Sequence, residues 1–157
     1  KFLARCWRAA KDVSSPVGVD YSQGDLELRK VTHAFLRDFS SNIEGFKFNV
    51  GVAKLMELIN ALRKAIDGKV GPADPAVREG AEVAAKALSL FSPFMAEEMW
   101  EAIHTIGEHK MGKDVPSLSY VEWPKYNPEL VKAEFVVQPV RHHLLLPAQN
   151  LWHRWNG

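Results

Sequence analysis

The 157-residue chain is predicted to be all-α, an antiparallel bundle of four to five helices with an irregular C-terminal extension. Three observations predict it. Apolar residues recur at spacings of three and four over most of the first 104 residues, the repeat of a single helix face. Two pairs, Asp74-Pro75 and Ser92-Pro93, join a capping side chain to a proline in the first helical turn. The hydrophobic fraction of 46% suffices for one packed core. No run of residues approaches the roughly 18–20 apolar residues that span a bilayer.

The first helix carries Phe2, Leu3, Cys6, Trp7 and Ala10 on its apolar face, with Arg5 and Arg8 three apart on another. Its basic, apolar start lacks a small-residue cleavage site, so a helix is expected there and a signal peptide is not. Residues 13–23, with Ser14, Ser15, Pro16 and Gly18, form a loop. The second helix covers about 25–41, with Leu28, Val31, Phe35, Phe39 and Ile43 inward and Gly45 closing it. A third starts near Asn49 as N-cap and buries Val52, Leu55, Met56, Ile59, Leu62 and Ile66. Gly68 is expected in the left-handed conformation after it. The fourth helix begins at Asp74-Pro75 and turns Val77, Ala81, Ala84, Ala85, Leu88 and Phe91 inward; its alanines suggest close approach of a neighbour. Ser92-Pro93 starts a fifth helix, or a kinked continuation of the fourth, through His104, with Phe94, Trp100 and Ile103 in the core. From residue 107 the pattern breaks at Gly112, Pro116, Pro124, Asn127 and Pro128, with a short strand expected at 134–138. The organisation is therefore a bundle over 1–106, an extension packed on it over 107–138, and a tail over 139–157 without a period.

Net charge is only +1, low for a dedicated nucleic-acid binder. Its distribution is uneven. Residues 1–37 hold seven cations (Lys1, Arg5, Arg8, Lys11, Arg29, Lys30 and Arg37) against four carboxylates, whereas Glu97, Glu98 and Glu101 make the fifth helix acidic. Such a molecule presents one side to phosphate and turns another away from it. The lone Cys6 among apolar neighbours reads as a buried thiol in a reducing compartment.

Five blocks, in order, carry a resemblance. They are Phe2-Leu3-x-Arg5-x-Trp7-Arg8, Lys30-x-x-His33, Phe48-Asn49 followed by Leu55-Met56-Glu57-Leu58 and Asn60-Ala61-Leu62, then Ser92-Pro93-Phe94 with Ala96-Glu97-Glu98-Met99-Trp100, and finally Trp123-Pro124. Together they resemble the helical anticodon-binding domain of class I aminoacyl-tRNA synthetases, closest to the leucyl type. Valyl and isoleucyl relatives share the bundle and the fifth-helix block, but the Leu-Met-Glu-Leu…Asn-Ala-Leu run is the leucyl form. After Val136-Val137-Gln138 the leucyl type continues with an Asn-Gly-Lys-Val-Arg strand. This chain reads PVRHHLLLPAQNLWHRWNG instead, so no function is carried past Gln138.

The resemblance implies a domain that binds leucine tRNA and positions it for ATP-dependent aminoacylation by a separate catalytic domain. The parent would use ATP and Mg, and this fragment would need no cofactor and catalyse nothing. It also implies a monomer in the cytoplasm or an organellar matrix, without a membrane partner. The alternatives are a helical protein-interaction module that binds no RNA, or the same domain from a valyl- or isoleucyl-type synthetase.

The candidate tRNA-binding residues are Arg5, Arg8, Lys30, His33 and Arg37. Lys30, His33 and Arg37 lie at i, i+3 and i+7 and so share a helix face. Arginine and lysine pair with phosphate oxygens and position RNA without reading bases. Arg5 has a second reading, held inside the bundle by a carboxylate. Trp7 and Trp100 read as core residues rather than base-stacking platforms, and Trp123 as a pin for the extension. Lys110-Met111-Gly112-Lys113 looks like the Lys-Met-Ser-Lys-Ser loop of class I synthetases, but it lacks the serines and follows the bundle instead of preceding it. It reads as a solvated loop. His142, His143 and His153 lack the companion ligands of a metal site, and Glu97 with Glu101 reads as a solvated face or a contact to the separate catalytic domain.

Overall fold

The computed structural model describes residues 1–105 and 117–132. They belong to two compact units, residues 1–126 and 127–157. Among its described residues the first unit contains five α-helices: α1 (Phe2–Asp12), α2 (Leu26–Glu44), α3 (Phe48–Asp67), α4 (Pro75–Leu88) and α5 (Pro93–Thr105). Tight turns join α2 to α5, so successive helices run antiparallel, and α1 packs on α3 and α5. In the second unit the described residues form the short helix α6 (Pro128–Lys132), where Asn127 Oδ1 accepts from the Glu129 N–H at 3.0 Å. No strand occurs among the described residues. The short strand expected at 134–138, the Lys110–Lys113 loop and the tail histidines lie outside them.

Local chemistry sets the helix starts. The Asp25 carboxylate accepts from the Leu28 N–H at 2.9 Å, and Asp74 accepts from the Ala76 N–H at 2.8 Å. The same Asp74 oxygen accepts the Asp25 N–H at 2.9 Å, so one carboxylate ties the starts of α2 and α4 together. At the far end, α2 closes with the Lys47 N–H on the Asn42 carbonyl (2.7 Å) and the Phe46 N–H on Ile43 (3.1 Å). That closure leaves Lys47 as the N-cap of α3 and draws Asn49 inside its first turn, in place of the expected Asn49 cap.

The core contains Cys6, Phe39, Leu55, Leu58, Leu62, Val77, Leu88, Met99 and Ile103, each at most 2% exposed. Several expected core residues lie elsewhere. Because α2 packs against both α3 and α4, its buried arc is Leu28, Thr32, His33, Phe35, Leu36 and Phe39, and Val31 falls on the outer side. Leu3 and Met56 are likewise exposed. Phe94 projects from the first turn of α5, 88% exposed. The left-handed glycine after α3 is Gly71 (φ +81°), whose N–H returns to the Ala65 carbonyl at 2.9 Å; Gly68 has φ −103°.

Two buried glycines set helix spacing. A Cβ on Gly51 would sit 3.3 Å from Phe39 Cε2 and 3.4 Å from Ile43 Cδ1, so this glycine lets α3 approach α2. A Cβ on Gly80 would lie 2.5 Å from Leu62 Cδ2 and 3.2 Å from Thr32 Oγ1, where α4 crosses α3 and α2.

The segment 117–126 is fastened to the bundle twice. Glu97 accepts from Ser117 Oγ (2.6 Å) and from the Leu118 N–H (3.0 Å). Trp123 stacks on Phe39 at a centroid distance of 5.6 Å and donates its indole N–H to Ser40 Oγ at 3.0 Å. Leu118 is fully buried. Glu97 is thus an anchor rather than part of a solvated face.

Candidate nucleic-acid interface

The five candidate residues fall into two groups that the bundle treats differently. On α2, the packing against α4 that widens the buried arc also takes in His33. It is 6% exposed, and its Nε2 lies 3.2 Å from Glu79 Oε1. Arg29, one turn earlier, donates from Nε and Nη2 to both Glu79 oxygens at 3.2 Å. His33 therefore leaves the proposed phosphate-facing stripe and joins an ion network inside the α2–α4 seam. Burial pushes the Glu79 carboxyl up, but the His33 and Arg29 hydrogen bonds outweigh it and hold the carboxyl below its ordinary value. Lys30 bonds Glu27 at 3.1 Å and Arg37 bonds Asp38 at 2.9 Å, so the charge of this face is largely answered locally.

On α1 the arrangement differs. Lys1, Arg5, Arg8 and Lys11 recur at intervals of four, three and three, and all four are exposed. Arg5 donates to Asn60 Oδ1 at 3.4 Å, which places α3 alongside and brings exposed Lys64, one turn beyond Asn60, to the same side. The nearby carboxylates are already engaged. Arg63 takes Asp12 at 2.7 Å and Asp67 at 2.6 Å, and Lys54 lies 3.6 Å from Glu57. Among the described residues, Lys1, Arg5, Arg8, Lys11 and Lys64 form no ion pair within 4 Å, although Arg8 is close enough to Asp67 to help hold its carboxyl low. The Arg5 reading as a carboxylate-held interior residue does not hold.

The interior cation is Arg78, which carried no signal in the sequence. It is fully buried, donating to Ser15 Oγ (3.0 Å), the Ser15 carbonyl (2.5 Å) and the Ile103 carbonyl (2.9 Å). It thereby ties α4 to the loop after α1 and to α5. Lys1 and Lys11 could have been added to Arg5 and Arg8 from helical spacing alone. Lys64, Glu79 and Arg78 could not, because their roles depend on which helices become neighbours.

A cavity of about 280 Å³ lies beside the ion network, lined in part by Tyr21, His33, Glu79, Glu82 and Trp100. The Tyr21 hydroxyl donates to Glu82, and burial followed by the Glu82 charge pushes the Tyr21 phenol well up. Glu79 is committed to Arg29 and His33. Tyr21, Glu82, Glu79 and His33 are thus paired around the cavity, whereas the buried Trp100 indole N–H has no hydrogen-bond partner among the described residues. Cys6 is buried, its thiol pushed up to about 11, which removes it as a nucleophile.

Residues 25–144 match the family profile described as the anticodon-binding domain of tRNA ligase. The chain is 52% identical over 136 residues to a leucine–tRNA ligase of Acidothermus cellulolyticus, an overlap of 87% of this chain and 15% of the relative. It is 51% identical over 141 residues to that of Leifsonia xyli subsp. xyli, covering 90% and 15%. It is 47% identical over 103 residues to that of Tropheryma whipplei, covering 66% and 12%. The chain thus spans about 15% of the length of the first two relatives.

Proposed function

The chain belongs to the anticodon-binding domain family of tRNA ligases, and we propose that it binds leucine tRNA by its phosphate backbone across the α1–α3 face. The carrying observation is the stripe Lys1, Arg5, Arg8 and Lys11, with Lys64 beside it, whose charges no carboxylate bridges among the described residues. Cations available to solvent neutralise phosphates, whereas cations already in ion pairs contribute little. The relatives named above are leucine–tRNA ligases, which favours the leucine type over the valyl and isoleucyl types.

In this reading the domain acts mechanically. It holds tRNA so that a catalytic domain elsewhere in a ligase aminoacylates it using ATP and Mg, and the present chain takes no cofactor and performs no chemistry. It functions as a monomer in the cytoplasm, where its single buried thiol stays reduced. Titration with leucine tRNA at 50 and 200 mM salt tests the reading. Four to five phosphate contacts predict an affinity loss of about 10²-fold across that range. Binding that does not change with salt, or its absence at 50 mM, contradicts it.

A further inference from the structure

Asp12 is the last residue of α1 and Asp67 the last residue of α3. Helix C-termini carry partial negative charge, so a carboxylate there is unfavourable unless a cation answers it. Here one cation answers both. Arg63, one turn before the end of α3, donates from Nη1 to Asp12 Oδ2 at 2.7 Å, from Nη2 to Asp67 Oδ1 at 2.6 Å and from Nε to Asp67 Oδ2 at 3.0 Å. The fork is bidentate on Asp67 and reaches across the helix pair to Asp12. Its bonds to Asp67 and then to Asp12 push the guanidinium further up, and the Arg63 bond leads in holding the Asp67 carboxyl low.

The same two carboxylates have other cations within reach. Asp12 lies four residues after Arg8 on α1, and Asp67 lies three residues after Lys64 on α3. At those spacings opposite charges pair on a helix surface. Arg8 is also near enough to Asp67 to act on its charge. α1 and α3 contain one further carboxylate, Glu57, which lies 3.6 Å from Lys54. Whether Arg8 and Lys64 are open to phosphate therefore depends on where Asp12 and Asp67 are held. Both acids are held by Arg63, and among the described residues Arg8 and Lys64 form no ion pair.

We propose that Arg63 is a positioning residue for RNA binding: its fork takes up the two carboxylates that would otherwise pair with Arg8 and Lys64, and so keeps those two cations for phosphate. The assignment rests on the α1–α3 reading given above. Arg63 itself is not a phosphate ligand here. Its charge is shared by two carboxylates, and a cation already in ion pairs contributes little to RNA. The residue type matters as well. A lysine is a point charge and cannot grip one carboxylate with two parallel bonds while reaching a second.

The test titrates the 157-residue chain with leucine tRNA between 50 and 200 mM salt, comparing wild type with Arg63→Gln, Arg63→Lys, Arg63→Gln/Asp12→Asn/Asp67→Asn and Arg8→Gln. Circular dichroism checks that each variant is folded. Arg63→Gln is expected to lower the slope of log affinity against log salt by about 2 and to weaken binding at 50 mM salt by about 10-fold, because Asp12 and Asp67 then occupy two cations of the stripe. Arg63→Lys keeps the charge but releases one carboxylate, and is expected to lower the slope by about 1. The triple variant, with no carboxylate left to release, is expected to return to within about 0.5 of the wild-type slope. A triple variant whose slope stays about 1 below wild type makes Arg63 a direct phosphate ligand and overturns the proposal. A triple variant that binds as weakly as Arg63→Gln makes Arg63 a structural tie between α1 and α3 and also overturns it. Wild-type slopes in Arg63→Gln or Arg63→Lys do the same. Arg8→Gln separates this from the underlying reading: a slope that falls in Arg8→Gln but not in Arg63→Gln removes the role of Arg63 alone, whereas an unchanged slope in Arg8→Gln contradicts the α1–α3 face itself.

Discussion

At the scale of single residues, Glu79 shows how charge is managed inside the bundle. Its carboxylate is nearly buried between Arg29 and His33, and those bonds hold its pKa down against burial. A carboxyl with a depressed folded-state pKa contributes stability that is present above its unfolded value near 4.3 and lost as pH falls through the folded value. Glu79→Gln is therefore expected to destabilise the chain by about 2–4 kcal/mol at pH 7, because Arg29 and His33 lose their buried partner. Chemical denaturation as a function of pH should show a smaller difference below about pH 4. A pH-independent difference contradicts this account. Arg78 is the second case. Its three hydrogen bonds to Ser15 and Ile103 satisfy groups that no water reaches, so Arg78→Met should cost about 3–5 kcal/mol in denaturant-monitored stability. Neither residue stood out in the sequence. Composition marks Arg and Glu as surface residues, and only the helix neighbours show which of them were taken inside.

At the scale of elements, small residues and turn geometry decide how the helices meet. Gly80→Ala gains roughly 1 kcal/mol of helix propensity but drives a methyl to within 2.5 Å of Leu62, which is itself fully buried. The clash is expected to dominate, for a net loss of about 1–2 kcal/mol on thermal or denaturant unfolding. Phe46→Gly should act in the opposite sense and raise stability by about 1 kcal/mol, since it relieves a left-handed phenylalanine at the end of α2. A destabilised Phe46→Gly protein would mean that the exposed ring packs to more effect than its 81% exposure indicates. The helices themselves were legible in the sequence: apolar spacing and the Asp74-Pro75 and Ser92-Pro93 starts placed α4 and α5 within a residue or so. Gly45, the expected closing residue, is the C-cap of α2, but the left-handed residue after it was not legible, because a phenylalanine stands where the turn signal would be a glycine. Val31, Met56 and Phe94 were misplaced for one reason. A periodic stripe tells which residues share a face, and the width and end of the buried arc depend on how many helices press against it.

At the scale of the whole molecule, a net charge near zero conceals an asymmetric distribution. Of the five candidate binding residues, Arg5 and Arg8 lie on the α1–α3 face, Lys30 and Arg37 flank α2 with carboxylates at hand, and His33 is interior. The sequence could group cations along one helix but could not show which faces carry their own counter-charges. On the reading proposed above, tRNA lies on α1 and α3 rather than on α2. The direct measurement compares the salt dependence of leucine-tRNA affinity for wild type, Arg5→Glu/Arg8→Glu and Lys30→Glu/Arg37→Glu. With tRNA on α1 and α3, the first pair of substitutions is expected to lower the slope of log affinity against log salt by about 2 and weaken binding at 50 mM salt, whereas the second leaves the slope within about 0.5 of wild type. The reverse pattern, with the slope falling only in the Lys30/Arg37 variant, would place the RNA on α2 and contradict it.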